Sequence, residues 1–256
     1  MGLLQGKKVL VLGVANERSI AWGITKAIKN QGANVALTYL NEQLKKRVEP
    51  LAKEVSADWI HEMDVTVDEH YIDLKDKVEK EWGKFDVLVH SLAFANKDDL
   101  HGDFSDTSRK GFKMACDISA FSLVGLCHHL KNLMNENGSV ISMTYYGSQK
   151  VLDGYNVMGV AKAALEASSR YLAYDLGKNN IRVNTISAGP IRTLAASGVK
   201  SLRKSFELVE ENSPLRRNVT TDDVGGTAVY LASNLSSGVS GQNLFVDAGI
   251  SSVAIS

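Results

Sequence analysis

Short apolar runs alternate with longer amphipathic stretches along the whole sequence. A short apolar run between turn residues is typical of a strand that is buried on both faces, as in parallel sheets. The intervening stretches have helical spacing, which predicts helices on both faces of one sheet. Seven runs predict strands, at Lys8–Gly13, Asn34–Tyr39, Trp59–Val65, Asp86–Ala93, Ser139–Tyr145, Arg182–Gly189 and Asn243–Gly249.

This order of elements predicts the fold class. We expect an α/β protein with a Rossmann-like, doubly wound, seven-stranded parallel sheet, forming one dinucleotide-binding domain over residues 1–256. Apolar residues spaced by three and four from Phe112 to Leu133 predict a helix there, and a further helix is predicted at Asn156–Leu176. The interval from Ile191 to about Thr220 has no strand pattern. We interpret it as a lid over the carboxyl ends of the strands, with a plain surface insertion as the alternative.

Composition excludes several classes of function. The 29 acidic and 29 basic side chains balance, so charge gives no case for nucleic acid or an anionic membrane as the main partner. No apolar stretch is long enough to span a bilayer, and we expect a cytoplasmic protein. His128 and His129 are adjacent in a helical pattern and point in different directions, so we expect no metal site.

The segment "LGVANERSIAWGI" follows the first predicted strand. A tight turn at Gly13 and a helix starting near Ser19 would direct backbone N–H groups and a hydroxyl at a pyrophosphate. Gly23 would let this helix pack closely on the sheet. The usual glycine patterns of dinucleotide sites are incomplete here, so a plain strand-to-helix turn remains the alternative.

The end of the second predicted strand bears on the choice of cofactor. Leu40 and Asn41 stand where a carboxylate would hold the adenosine ribose, and no Arg or Lys stands there to meet a 2′-phosphate. We therefore favour NADH over NADPH. Asp64, which closes the third run, is placed to accept a hydrogen bond from adenine, with a turn or cap role as the alternative.

Tyr155 and Lys162 are seven residues apart, which on a helix is two turns and nearly the same face. A nearby cation would favour the phenolate, and the pair could donate to an oxygen that gains charge after hydride transfer. Tyr145, at the end of the fifth strand, would reach the same crevice. The alternative is an amphipathic helix stripe whose lysine extends its ammonium to solvent.

The motifs "GVANERSIAWG", "MDV", "VHSLAFA", "YNVMGVAK" and "NTISAGPIRTLAASG" resemble the short-chain dehydrogenase/reductase superfamily. More narrowly, they resemble its bacterial, NADH-dependent enoyl-acyl carrier protein reductase branch. The common branch of the superfamily has a lysine four residues after the tyrosine and a serine thirteen before it. Ser142 has the serine spacing, but Gly159 stands in place of that lysine, which argues against an ordinary carbonyl reductase.

The resemblance implies that hydride from NADH reduces the trans-2 double bond of an enoyl thioester, the last step of fatty-acid elongation. Tyr155 would stabilise the enolate oxygen, Tyr145 would assist, and Lys162 would hold the nicotinamide ribose. Ala93 and Ala248 stand where glycine is usual, without removing a reacting group. The implied cofactor-binding residues are Gly13, Ser19, Ile20, Asp64, Val65, Ser91, Leu92, Lys162, Ile191 and Thr193, and the implied substrate-binding residues are Ala95, Tyr145, Tyr155 and Met158.

Partners also follow from the resemblance. We expect acyl carrier protein to dock near Lys200, Arg203 and Lys204, with a solvated charge run as the alternative. The resemblance implies a homotetramer. Two other functions stay open at this point: a short-chain reductase acting on a ketone or sugar, and a nucleotide-sensing protein without catalysis.

Overall fold

The computed structural model describes residues 2–193 and 202–254. One parallel sheet has the strand order β3-β2-β1-β4-β5-β6-β7, which confirms the predicted doubly wound α/β fold. The strands are β1 Lys8–Leu12, β2 Asn34–Tyr39, β3 Trp59–Glu62, β4 Phe85–His90, β5 Met134–Thr144, β6 Arg182–Ala188 and β7 Asn243–Val246. The α-helices are α1 Ile20–Asn30, α2 Glu42–Glu54, α3 Asp68–Trp82, α4 Arg109–Cys116, α5 Ser122–Leu130, α6 Asn156–Gly177, α7 Leu202–Asn212 and α8 Thr221–Ala232.

Both faces of the central strands are buried, as the apolar runs predict. Val9 and Val11 of β1 point into one core, which is completed by α1, α2 and α8. Leu10 and Leu12 point into the other, which is completed by α3, α5 and α6. The alternation along β1 follows from the two-residue period of a strand.

The chain leaves β1 in one direction toward β2 and β3 and returns on its other side as β4. The order of the strands therefore reverses between β1 and β4, and the connections diverge from their carboxyl ends. A crevice forms at such a switch point, and ligands of open α/β sheets bind there. The fold thus brings the loops after β1, β4 and β5 to one edge of the sheet.

Several predicted strands extend too far at that edge. The third was expected to reach Val65 but ends at Glu62, and the fourth was expected to reach Ala93 but ends at His90. The last ends at Val246 rather than Gly249. In each case apolar or small residues continue beyond the last ladder pair because they line loops at the crevice. An apolar pattern cannot distinguish such loops from strand.

The helix predicted from Phe112 to Leu133 is interrupted. Between α4 and α5 the residues Asp117–Phe121 form one wide π-helical turn, and Ser119 and Ala120 within it are buried. A π turn accommodates an extra residue without ending the helix, and such turns are frequent at functional sites. Regular spacing of apolar residues does not reveal it.

Gly23 has a different role from the predicted one. A Cβ on Gly23 would lie 2.4 Å from Cβ of Thr221, and one on Gly225 would lie 2.7 Å from Cβ of Ala27. These two glycines therefore allow close packing of α1 against α8, rather than of α1 against the sheet. Sequence spacing indicates that a helix must approach something closely, but it does not say which element.

The interval predicted as a lid is described in part, because residues 194–201 and the side chain of Arg203 lie outside the description. Its helix α7 begins at Leu202 and buries Phe206 and Val209. Among the three cationic residues predicted to dock the carrier protein (Lys200, Arg203 and Lys204, the cationic trio), Lys200 lies outside the described residues and Lys204 is exposed. A covering role for this interval stays a prediction. Within the described residues, no helix combines the length and apolarity needed to cross a membrane.

Candidate active site

Gly13 brings the ends of β1 and β4 together. Its φ of +102° is in the region that favours glycine, and a Cβ there would lie 2.1 Å from the carbonyl oxygen of Ser91. The Ser91 amide donates to the carbonyl of Leu12 at 3.1 Å. No side chain fits between these strand ends, so the glycine is required by both conformation and space. The predicted tight turn is present.

The turn after Gly13 leads into α1 as predicted. Ser19 precedes the helix in extended conformation, and its Oγ accepts from the amides of Ala15 and Asn16, each at 3.0 Å. Its own O–H reaches Asn16 Oδ1 only at 3.4 Å, a long contact. The first N–H groups of α1, starting at Ile20, point out of the helix end and favour an anion there.

Asp64 organises the turn after β3. Its Oδ1 accepts from the amide of Thr66 at 2.9 Å and from Thr66 Oγ1 at 2.7 Å. The carbonyl of the buried Val65 accepts from the hydroxyl of Tyr71 at 2.8 Å. The turn role that the sequence left open is therefore observed for Asp64. Contacts of Asp64 and Val65 with adenine stay predictions.

Tyr145 and Tyr155 meet in the crevice. Tyr145 directly follows β5, and Tyr155 is the residue immediately before α6. Their ring centroids are 5.0 Å apart at 71°, an edge-to-face arrangement, and both rings are partly buried. The structure brings together the two phenols that the sequence singled out. Tyr146 instead lies edge-to-face with Phe245 of β7, with ring centroids 6.1 Å apart.

Lys162 is buried beside the same loops. Its Nζ donates to the carbonyls of Met143 at 2.8 Å and Leu92 at 3.4 Å. Burial lowers the pKa of Lys162 to about 8, and the charge of Glu166 opposes that shift. The alternative, in which this lysine extends to solvent, is wrong, because its side chain turns inward toward the ends of β4 and β5.

One prediction about the tyrosine is corrected. We expected the Lys162 cation to favour the phenolate of Tyr155. Burial instead raises the pKa of Tyr155, with smaller contributions from Tyr145 and Glu166. Burial also raises the pKa of Tyr145. Tyr155 therefore remains a neutral hydroxyl, and the Lys162 ammonium donates to backbone carbonyls instead.

Ser142 is not part of the crevice, despite its spacing from Tyr155. It is fully buried in β5, with Oγ 2.8 Å from Nδ1 of His90. Nε2 of His90 lies 2.8 Å from Oγ of Ser122, which itself donates to the carbonyl of Ile118 at 2.6 Å. His90 therefore donates through Nε2 and accepts from Ser142 through Nδ1. Burial lowers the pKa of His90 to about 3, so it stays neutral.

An apolar wall lies next to the tyrosines. Met158 is buried in a cluster with Leu100 and Ala115, against which Ala95 and Tyr155 pack. The Met158 sulfur lies 3.8 Å from Oγ of Ser119 in the π turn. The structure thus brings Ala95, Met158 and Tyr155 together, as the substrate-binding prediction requires.

The remaining predicted cofactor residues lie at strand ends. Ser91 and Leu92 follow β4, and the Leu92 carbonyl meets Lys162. Ile191 follows β6 and packs against the first core, and its carbonyl accepts from the amide of Thr193 at 2.8 Å. Among the described residues, no cluster of three His, Cys, Asp or Glu could hold a metal ion.

The sequence did not indicate four residues near the site: Glu166, Thr144, Ser148 and His90. Glu166 carried a signal, because a carboxylate one helical turn after a functional lysine lies on the same face. Thr144 and Ser148 flank Tyr145 in the sequence. The sequence pattern gave no signal for His90, because a single histidine at the end of an apolar run does not by itself indicate a function.

Comparisons with known proteins agree with this geometry. The family model described as "Enoyl-(Acyl carrier protein) reductase" matches residues 13–251. The enoyl-[acyl-carrier-protein] reductase [NADH] of Nostoc sp. is 52% identical over 249 residues, covering 96% of each chain.

Two solved structures are also very similar. The Bacillus cereus enoyl-acyl carrier protein reductase with NADP+ and an indole naphthyridinone has a TM-score of 0.97 at 48% identity, covering 100% of both chains. The Anaplasma phagocytophilum reductase in complex with NAD has a TM-score of 0.96 at 48% identity, covering 99% of this chain and 97% of that one. The chain therefore belongs to the enoyl-acyl carrier protein reductase family.

Proposed function

We propose that this chain reduces the trans-2 double bond of enoyl-acyl carrier protein with hydride from NADH, closing the fatty-acid elongation cycle. The observation that carries the proposal is the meeting of Tyr155 and Tyr145 beside the buried Lys162. A neutral phenol in this position donates to an oxygen that gains negative charge. Gly159, in place of the lysine of ordinary carbonyl reductases, supports enoyl rather than ketone reduction.

The residues present fit a dinucleotide. The start of α1 and the Ser19 hydroxyl form a donor set suited to a pyrophosphate. Lys162 uses two of its three N–H donors on backbone carbonyls, which leaves one for a ribose hydroxyl. When bound, NADH supplies the hydride. By family resemblance, Ile191 and Thr193 flank its carboxamide and phosphate.

Residues of the chain then stabilise the negative charge that develops on the substrate. As hydride reaches the β carbon, electrons move to the thioester oxygen, and the Tyr155 hydroxyl donates a hydrogen bond to it. Tyr145 supports the position of Tyr155 through their edge-to-face contact. The wall of Met158, Ala95 and Leu100 excludes water from the acyl chain.

Turnover with alternative substrates tests the proposal. NADH oxidation is followed with a crotonyl thioester and with a panel of ketones, and NADPH is run in parallel. We expect activity on the thioester with NADH preferred. Activity restricted to ketones would overturn the proposal, and cofactor binding without turnover would favour a nucleotide-sensing role.

Tyr155→Phe removes the donor while keeping the ring. Loss of one preorganised donor to a developing oxyanion lowers kcat by about 10²-fold. NADH affinity should stay unchanged, because Lys162 and the α1 turn are intact. An unaltered kcat would exclude Tyr155 as the donor.

Docking of the carrier protein is a separate part of the proposal. Lys204 is exposed on α7, as a partner surface requires, and a cationic trio with Lys200 and Arg203 suits an acidic protein. Reversing the charge at all three should raise KM for a carrier-linked substrate far more than for a coenzyme A thioester. Equal effects on both would refute this surface.

Assembly and location complete the proposal. We propose a homotetramer, by family resemblance, and a cytoplasmic location. Exposed Tyr171 and Tyr174 on α6 are apolar surface that a subunit contact would cover. Sedimentation of the purified chain tests the assembly, and a monomer at micromolar concentration would refute it.

A further inference from the structure

Glu166 is a buried carboxylate that the proposed reaction does not use. It lies in α6, one helical turn after Lys162, and its exposed fraction is 7%. A buried charge is costly unless it is hydrogen-bonded and compensated. Its retention at this position therefore requires partners, and those partners belong to the active-site loop.

Two hydroxyls donate to the same oxygen of Glu166. Thr144 Oγ1 lies 2.7 Å from Oε1, and Ser148 Oγ donates to that atom as well. These residues stand on either side of Tyr145 in the sequence. We call residues 144–148 the Tyr145 segment. Thr144 and Ser148, at its two ends, bind Glu166 of α6, and we call these three residues the Glu166 clamp. Hydrogen bonds to an ionised acceptor are about twice as strong as neutral ones.

The clamped segment is packed directly against Tyr155. A Cβ on Gly147 would lie 2.5 Å from Cδ1 of Tyr155, and one on Gly159 would lie 2.7 Å from the carbonyl oxygen of Gly147. The segment, the tyrosine ring and α6 therefore leave no free space between them. A shift of the segment away from Glu166 would move the Tyr155 ring or loosen its contact.

The carboxylate also acts on Lys162 through its charge. It raises the pKa of Lys162 against the larger, lowering effect of burial. The other groups facing this ammonium are uncharged. His90 from β4 is neutral because its pKa is lowered to about 3, and the raised pKa values of Tyr145 and Tyr155 keep both protonated. Within the described residues, Glu166 is thus the charge that raises the pKa of Lys162 against the effect of burial.

We propose that Glu166 is a positioning residue, which holds the Tyr145 segment against α6 through Thr144 and Ser148 and places a carboxylate one helical turn from Lys162. The effect on turnover rests on the proposed function. The effect on Lys162 does not, because it is read in the binding of NADH alone.

Glu166→Gln removes the charge and keeps an acceptor oxygen. NADH affinity is measured by fluorescence titration of the full-length chain from about pH 6 to about pH 9. The wild-type affinity should fall as Lys162 loses its proton near pH 8. In the variant the pKa of Lys162 should be lower, so this fall should begin at lower pH and binding should be about two- to fivefold weaker at pH 8. Near pH 6 the two proteins should bind equally.

Two further changes separate charge from clamp. Glu166→Asp keeps the charge but has a shorter side chain that no longer reaches both hydroxyls. The pH profile of NADH binding should therefore return toward that of the wild type, while kcat on the enoyl thioester should stay below the wild-type value. Thr144→Val and Ser148→Ala each remove one hydroxyl, and each should lower kcat on the enoyl thioester severalfold without moving the profile. Asp175→Asn is the matched control, since Asp175 is an exposed carboxylate on the same helix.

The outcomes are distinct. A Glu166→Gln profile identical to those of wild type and Asp175→Asn would overturn the charge role. Unchanged kcat in Thr144→Val and Ser148→Ala would overturn the clamp, and these variants decide it even if Glu166→Gln does not fold. If the wild-type chain fails to reduce the thioester, the proposed function fails while the NADH titrations still test Glu166.

Discussion

Replacing Gly159 with alanine tests how tightly Tyr155 is held. The new Cβ would lie 2.7 Å from the carbonyl oxygen of Gly147, where ordinary contact begins at 3.4 Å. The segment carrying Gly147 must therefore retreat by roughly 0.7 Å, and that backbone cannot rotate away as a flexible side chain would. The same crowding explains why the lysine of the common branch cannot occupy this position.

The magnitude follows from two opposing effects. Overpacking a dense site costs about 1–3 kcal/mol, whereas exchanging glycine for alanine inside a helix contributes about 1 kcal/mol of stabilisation. Gly226→Ala is the matched control, because Gly226 lies within α8 with no atom near its added Cβ. The free energy of unfolding of Gly159→Ala should therefore fall below that of the control by about 1–3 kcal/mol.

Urea unfolding followed by circular dichroism measures this difference, and turnover supplies a second readout. Misplacement of a reacting group by about 1 Å can cost about 10²-fold in rate. We therefore expect Gly159→Ala to lose at least about tenfold in kcat, while Gly226→Ala keeps wild-type activity. A Gly159→Ala protein as stable and as active as the control would refute the crowded arrangement of Gly147, Tyr155 and α6.

Three more predictions follow from other parts of the structure. Because the pKa of Lys162 is lowered to about 8, NADH binding should weaken as pH rises through that value, and Lys162→Arg should abolish the alkaline fall in titrations of affinity against pH. The folded pKa of His90 is about 3, below its unfolded value of about 6.5, so stability should fall as pH falls between these values, by up to about 1.4 kcal/mol per pH unit. His90→Gln should make that acid slope shallower in urea unfolding, and an unchanged slope would exclude the histidine as its source. Oγ1 of Thr220 accepts from the amide of Asp223 at 3.2 Å in the capping box of α8. Thr220→Ala should therefore lower the free energy of unfolding in urea by about 1 kcal/mol. An unchanged free energy of unfolding would show that this cap does not stabilise the protein.

The sequence predicts the architecture because the strands are buried on both faces. Short apolar runs such as Val9–Leu12 are typical of strands in a buried parallel sheet, and their order with the helices predicts the doubly wound arrangement. The strand ends were less accurate, because loops such as Met63–Val65 are also buried at the crevice. The pattern of apolar residues indicates which residues are buried, but it cannot distinguish a hydrogen-bonded strand from a buried turn.

The candidate site was predicted in part. The meeting of Tyr145 and Tyr155 follows from their positions at a strand end and a helix start. The direction of the Lys162 side chain did not follow, because the same spacing fits an ammonium in solvent or one on buried carbonyls. The surroundings of the buried Lys162 charge, which include Glu166 and the neutral His90, depend on distances between elements. Residue spacing along one helix cannot predict those distances.

The fate of the hydride tests the central claim most directly. The chain is supplied with NADH that carries deuterium on the transferred position and with a crotonyl thioester, and the product is analysed by NMR and mass spectrometry. The account predicts a saturated thioester with the deuterium at the β carbon. Deuterium on a former carbonyl carbon, in an alcohol or aldehyde product, would contradict it.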